Sequence, residues 1–114
     1  MESTRGGGER LDEFRKALLE AVDEGLLALG ESARRAIYWH LERRGSIRRD
    51  EIPDRPGDFA EALRAIFGEG ADVLLRVAAR RLYGKLGLAF EERAGWGFQE
   101  YAEHAREKLD VAHR

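Results

Sequence analysis

The chain has no cysteine, only two prolines and one methionine, and no long apolar run. Without cysteine there is no disulfide framework, no thiolate metal site and no cysteine nucleophile. No stretch approaches the roughly 18 apolar residues of a membrane span, and the first ten residues, with three successive glycines, contain no apolar segment of the kind a secretory leader carries. A cytoplasmic location is the expectation. Nor is there an excess of one charge: 20 basic against 22 acidic residues give a formal charge of -2, which removes any overall pull toward phosphate backbones or anionic lipid. Nucleic acid would have to be bound by a local basic patch.

What is present is a 43% hydrophobic, 37% charged composition over 114 residues, which fits one folded domain with a densely ionised surface. Apolar residues recur every three or four positions between glycines, and sustained two-residue alternation is missing, so the reading is all-α with about five helices in a bundle-like or orthogonal packing. Residues 1–9 read as a flexible tail and 10–112 as a single helical domain. The first helix is expected from about Arg10 to Leu29, with Leu11, Phe14, Leu18, Val22, Leu26 and Leu29 on one face, either docking within the chain or forming the seam of a homodimer. Gly30 closes it. A second helix begins near Glu31 or Ser32, with Ser32 available as a cap, turns Ala33, Ile37, Tyr38 and Leu41 inward and ends at Gly45. A connector from Ser46 to Pro56 is anchored by Ile47 and Ile52 and has room for one helical turn. Pro56 to Phe67 fits a third helix, with Phe59, Leu63, Ile66 and Phe67 facing the core. Ala71, Leu74, Leu75, Ala78, Leu82 and Leu86 define a fourth, closed by Gly87; Leu88 to Phe90 fits a short extended piece; Phe98, Tyr101, Ala102, Ala105 and Leu109 define the last helix.

Catalytic and metal signatures do not assemble. His40, His104 and His113 share no metal spacing, and Glu100 with His104, one helical turn apart, supplies two ligands where three or four are needed. Glu91 and Glu92 are adjacent and diverge in direction. Gly68 and Gly70 lack the lysine of a phosphate loop, and Ser3, Ser32 and Ser46 build no nucleophile triad. The expectation is a non-enzymatic chain with no cofactor and no metal.

Two features are candidates for partner binding. In the run Arg43-Arg44-Gly45-Ser46-Ile47-Arg48-Arg49, four guanidinium groups crowd a helix end and the turn after it, which suits phosphate contact. Against that, Asp50, Glu51, Asp54 and Asp58 follow at once, and arginine at a helix C-terminus complements the helix dipole, so an ion-paired terminus is the favoured reading and a nucleic-acid regulator the alternative. Tyr38, Trp39, Tyr83, Trp96 and Tyr101 either pack the core with polar tips outward or anchor a protein partner; Trp96, between two glycines, either plugs the core or stays available. The candidate partner-binding residues are therefore Tyr38, Trp39, Arg43, Arg44, Arg48, Arg49 and Trp96.

The run Ala36-Ile37-Tyr38-Trp39-His40-Leu41-Glu42 through Ile52-Pro53 resembles the small archaeal output domain of Nitrosopumilus-type signalling proteins. Phe59-Ala60-Glu61-Ala62-Leu63, Ile66-Phe67-Gly68-Glu69-Gly70-Ala71, Leu82-Tyr83-Gly84-Lys85-Leu86-Gly87-Leu88 and Gly95-Trp96-Gly97-Phe98 with Tyr101 extend the similarity over about residues 26–109. The resemblance implies a helical interaction or signalling-output module with no catalytic residue to carry over; the absence of chemistry makes a protein partner, or a second copy of the chain, the expected target. The chain departs from the family's joined forms in reading as free-standing, so any input is expected to arrive from a separate protein.

Overall fold

The computed structural model describes the backbone of residues 2–112 and the side chains of residues 10–110. Five α-helices account for most of it: α1 (Glu2–Leu27), α2 (Glu31–Arg44), α3 (Pro56–Phe67), α4 (Ala71–Leu86) and α5 (Phe98–Ala112). Single 3-10 turns, Arg49–Glu51 in the connector and Gly68–Gly70 before α4, complete the regular structure, and no strand occurs among the described residues. The all-α reading is correct. The expected extended piece at Leu88 to Phe90 is irregular chain rather than a strand. The tail expected over residues 1–9 falls on residue 1 and on side chains outside the described residues; the backbone from Glu2 is helical and continuous with α1.

α4 is the central element, packing against α1, α3 and α5. The α1–α4 contact is close because α1 repeats small residues, Ala17, Ala21 and Gly25, every four positions. A Cβ at Gly25 would meet the Leu74 carbonyl at 3.7 Å and the Ala78 methyl at 3.8 Å. Around this line Phe14, Leu18, Val22 and Leu26 are buried with Leu75, Ala78 and Leu82 in one core, so most of the apolar face of α1 docks within the chain. Lys85 Nζ donates to Glu24 Oε2 at 2.7 Å and Arg81 Nη1 to Glu24 Oε1 at 3.1 Å, tying the two helices along their wet edge.

Boundaries follow local chemistry. Pro56 opens α3 where a missing amide costs nothing, and the glycines after α2 and α4 close them. Ser32 is not a cap: it lies inside α2, whose N-cap is Gly30, with no side-chain hydrogen bond. Gly30 holds φ 105° and ψ 155°, a region essentially closed to residues with a Cβ. Gly30→Ala should cost about 1–3 kcal/mol in chemical denaturation, even though nothing lies within 4 Å of the added carbon; a neutral result would show that the turn between α1 and α2 relaxes freely.

The expected core is met at most positions and missed at four. Leu11, Leu29, Ile66 and Phe67 are exposed, where a helical stripe read from sequence had turned them inward. Leu11 borders a surface cleft with Arg106 and Leu109 of α5, and Leu29 lies beyond the end of α1. Ile66 and Phe67 are the last two residues of α3.

Candidate site on the outer face of α2

α2 buries Ile37 and Leu41, four residues apart, against the rest of the chain. Its opposite face carries Arg35, Trp39 and Arg43 at successive i, i+4 positions, with His40 on the flank, while Arg44 lies on the side toward α3. Trp39 is 55% exposed. The Arg43 guanidinium lies over its ring, 5.0 Å from the centroid, and the His40 ring meets it edge-on at 5.2 Å. Stacking of this kind holds the indole in one orientation while leaving its surface open.

Beside this face runs a groove of about 220 Å³ between α2 and α3, with His40, Leu41, Arg44, Ala62, Ala65 and Ile66 along its walls. It exists because α2 comes very close to α3 at its end. A Cβ at Gly45 would stand 3.0 Å from both the Ala62 methyl and the Leu41 carbonyl. Ile66, 39% exposed, forms part of the far wall.

The other candidates have different partners. Tyr38 is half-buried and its hydroxyl donates to Asp23 Oδ1. Arg49 donates from Nε to Asp23 Oδ1 at 3.0 Å and from Nη2 to Asp23 Oδ2 at 2.5 Å, with Arg34 at 4.0 Å. Burial pushes the Asp23 carboxyl up, but the hydrogen bonds from Arg49 and Tyr38 and the nearby guanidinium charges outweigh it and leave it below the ordinary carboxylate value. Burial first, then the Asp23 contact, pushes Tyr38 well above an ordinary phenol. This trio locks α1, α2 and the connector together. Arg48 stays exposed, its guanidinium 3.6 Å from Asp50, while its backbone N–H donates to Glu51 Oε1 at 2.8 Å. The four arginines of the 43–49 run therefore do not converge on one point.

Trp96 belongs to a separate aromatic cluster. It is half-buried, edge-on to Tyr101 at 5.3 Å and to His104 at 5.2 Å, with the Arg93 guanidinium 4.9 Å over its other surface. Tyr83, buried in the same cluster, donates to the Tyr101 carbonyl at 2.8 Å and lies 3.0 Å from His104 Nδ1. Burial pushes its phenol up to about 12. Tyr101 in turn accepts from the Arg93 amide at 2.8 Å, which pins the α4–α5 segment. Trp96 thus serves as a plug. His104 and Glu100, which share a helix face, are occupied separately, since Glu100 Oε1 accepts from the Gly97 amide at 2.8 Å. No group of three potential metal ligands gathers among the described residues; His113 lies outside them.

No family model, curated protein or solved structure matches the chain. The site therefore rests on its own geometry. Of the seven candidate residues, the structure places Trp39 and Arg43 together on an open surface, with Arg44 in the neighbouring groove. Sequence reading missed the contribution of Arg35 and of the groove wall at Ile66. The four-residue spacing of Arg35, Trp39 and Arg43 was the available signal for the first; the second had none, because Ile66 fits an inward helical stripe.

Proposed function

We propose that this chain is a non-enzymatic protein-interaction module, of the signalling-output kind implied by the resemblance over residues 26–109, and that it works in the cytoplasm. Its partner sits on the outer face of α2. The observation that carries this reading is the exposure of Trp39, held between the Arg43 guanidinium and the ring of His40, a residue that lines an apolar groove. A tryptophan side chain offers about 150–250 Å² of surface to bury, and tryptophan with arginine dominates the energetics of protein interfaces. Among the described residues no helix is long and apolar enough to cross a membrane.

Recovery from native-source lysate tests this, using the whole chain as bait at low and high salt, with and without nuclease. A protein recovered under all four conditions is the expected outcome. Recovery that nuclease abolishes and high salt removes would instead assign the face to nucleic acid, because phosphate contacts weaken steeply with salt.

A further inference from the structure

Most arginines on the described surface are matched by a carboxylate. Arg10, Arg15, Arg34, Arg48, Arg49, Arg55, Arg64, Arg76, Arg80, Arg81 and Arg93 each have one within 4.0 Å. The exceptions among the described residues are Arg106, which lies over the Phe14 ring, and three arginines of α2: Arg35 and Arg43 on the Trp39 face and Arg44 on the side toward α3. Arg35 and Arg43 stand one turn on either side of Trp39, and Arg44 lines the groove. Glu42 is the one carboxylate of α2 without a cation, because Glu31 is held by Arg34 at 2.7 Å. Two of the unmatched arginines thus flank the exposed tryptophan and a third lines the groove beside α2.

This pattern selects among occupants. A second copy of the chain docking through the same face would set guanidinium groups against guanidinium groups across a two-fold axis, which disfavours self-association there. A nucleic-acid strand would gain the phosphate contacts but would lay polar backbone against a wall built from Ala62, Ala65 and Ile66. The arginines that would extend a phosphate track along the connector, Arg48 and Arg49, already face Asp50 and Asp23. An occupant that matches both halves of the surface has apolar residues for the groove and the indole, and carboxylates for the rim. A helix carrying apolar residues at i, i+3, i+4 and i+7 presents them in that arrangement.

We propose that the α2–α3 face binds an acidic amphipathic helix, whose apolar stripe packs on Trp39 and into the Ile66 groove while its flanking carboxylates pair with Arg35, Arg43 and Arg44. The inference rests on the reading of this face as the partner surface and adds the partner's chemistry. Acidic flanks speed encounter and fix register, and the buried indole sets the lifetime of the complex.

The test is selection from a displayed library of random peptides of about 16 residues, some four helical turns, with the whole chain as bait. Binding of the selected peptides is then measured to the wild type, to Trp39→Ala and to the Arg43→Glu/Arg44→Glu double variant. A Trp96→Phe variant leaves Trp39 as the sole tryptophan reporter. The expected result is enrichment of Asp and Glu with apolar residues at helical spacing, affinity weakened at least about 30-fold in each of the two α2 variants, and a blue shift of Trp39 emission on binding. Selected peptides that are neutral or basic, peptides that bind the α2 variants as well as the wild type, or failure to select any peptide would overturn the proposal. So would tighter binding of a single-stranded oligonucleotide that the double variant abolishes. The two readings fail separately: recovery of a protein from lysate that Trp39→Ala abolishes, together with non-acidic selected peptides, removes the partner chemistry alone, whereas loss of any Trp39-dependent recovery removes the interaction face itself.

Discussion

Phe59→Ala should destabilise the chain by about 3–5 kcal/mol, lowering the urea midpoint with little change in slope. Phe59 is 1% exposed and meets Phe98 edge-on at 5.7 Å, so one ring joins the middle of α3 to the first residue of α5. Deleting it removes both the transfer free energy of the ring and the aromatic contact, and leaves a hole that the surrounding helices fill only in part. Against a total stability of about 5–15 kcal/mol expected for a domain of this size, the variant sits near its unfolding threshold. Phe59→Leu, which keeps most of the volume, should cost only about 1–2 kcal/mol. Equal losses for the two variants would mean that α3 and α5 are held together elsewhere.

Asp23→Ala has the next largest effect, about 2–3 kcal/mol, although Asp23 is not fully buried. Its two oxygens receive the Tyr38 hydroxyl and both donors of the Arg49 fork, so removing it leaves a half-buried phenol and a guanidinium without their acceptor. A double-mutant cycle between Asp23→Ala and Arg49→Ala should give a coupling energy of about 0.5–3 kcal/mol; simple additivity would show the contact to be incidental. The pH dependence follows the direction of each shift. Asp23 titrates lower in the folded chain than its ordinary 3.8, so its contribution is present above that value and is lost as the pH falls through the folded value. Asp23→Asn should flatten that acid limb. Tyr38 titrates above its ordinary 10.0, so the folded state favours the neutral phenol; this contribution is full below pH 10 and is lost as the pH rises toward the higher folded value. Tyr38→Phe should flatten the alkaline limb.

The helices were legible because glycine and proline stand at their ends: Pro56 to Phe67 and Ala71 to Leu86 follow directly from those residues and the apolar period between them. Periodicity says which face of a helix is apolar but not how far along its length a neighbour covers it, and for that reason Leu11, Leu29, Ile66 and Phe67 were placed inside. Ser32 shows a second limit, since Gly30, two residues earlier, holds the N-cap position. Half of the candidate site was readable in the same sense. The basic run at 43–49 and the aromatic pair Tyr38-Trp39 are visible in the chain, but adjacent residues on a helix point in different directions, and only tertiary contacts reveal that Tyr38 and Arg49 turn to Asp23 while Trp39 and Arg43 turn outward. Asp23 itself was invisible as their shared acceptor, being 15 and 26 residues away in sequence.

Exposure and function are separable at Trp39, because little of the core depends on it. Val73, 67% exposed on α4, is an apolar side chain open to solvent in a different part of the chain and supplies the matched control. The decisive measurement is recovery of the partner from native-source lysate by Trp39→Ala and by Val73→Ala, each first shown to melt within a few degrees of the wild type. The account predicts that Val73→Ala recovers the partner in full and Trp39→Ala does not. Undiminished recovery by Trp39→Ala would contradict it.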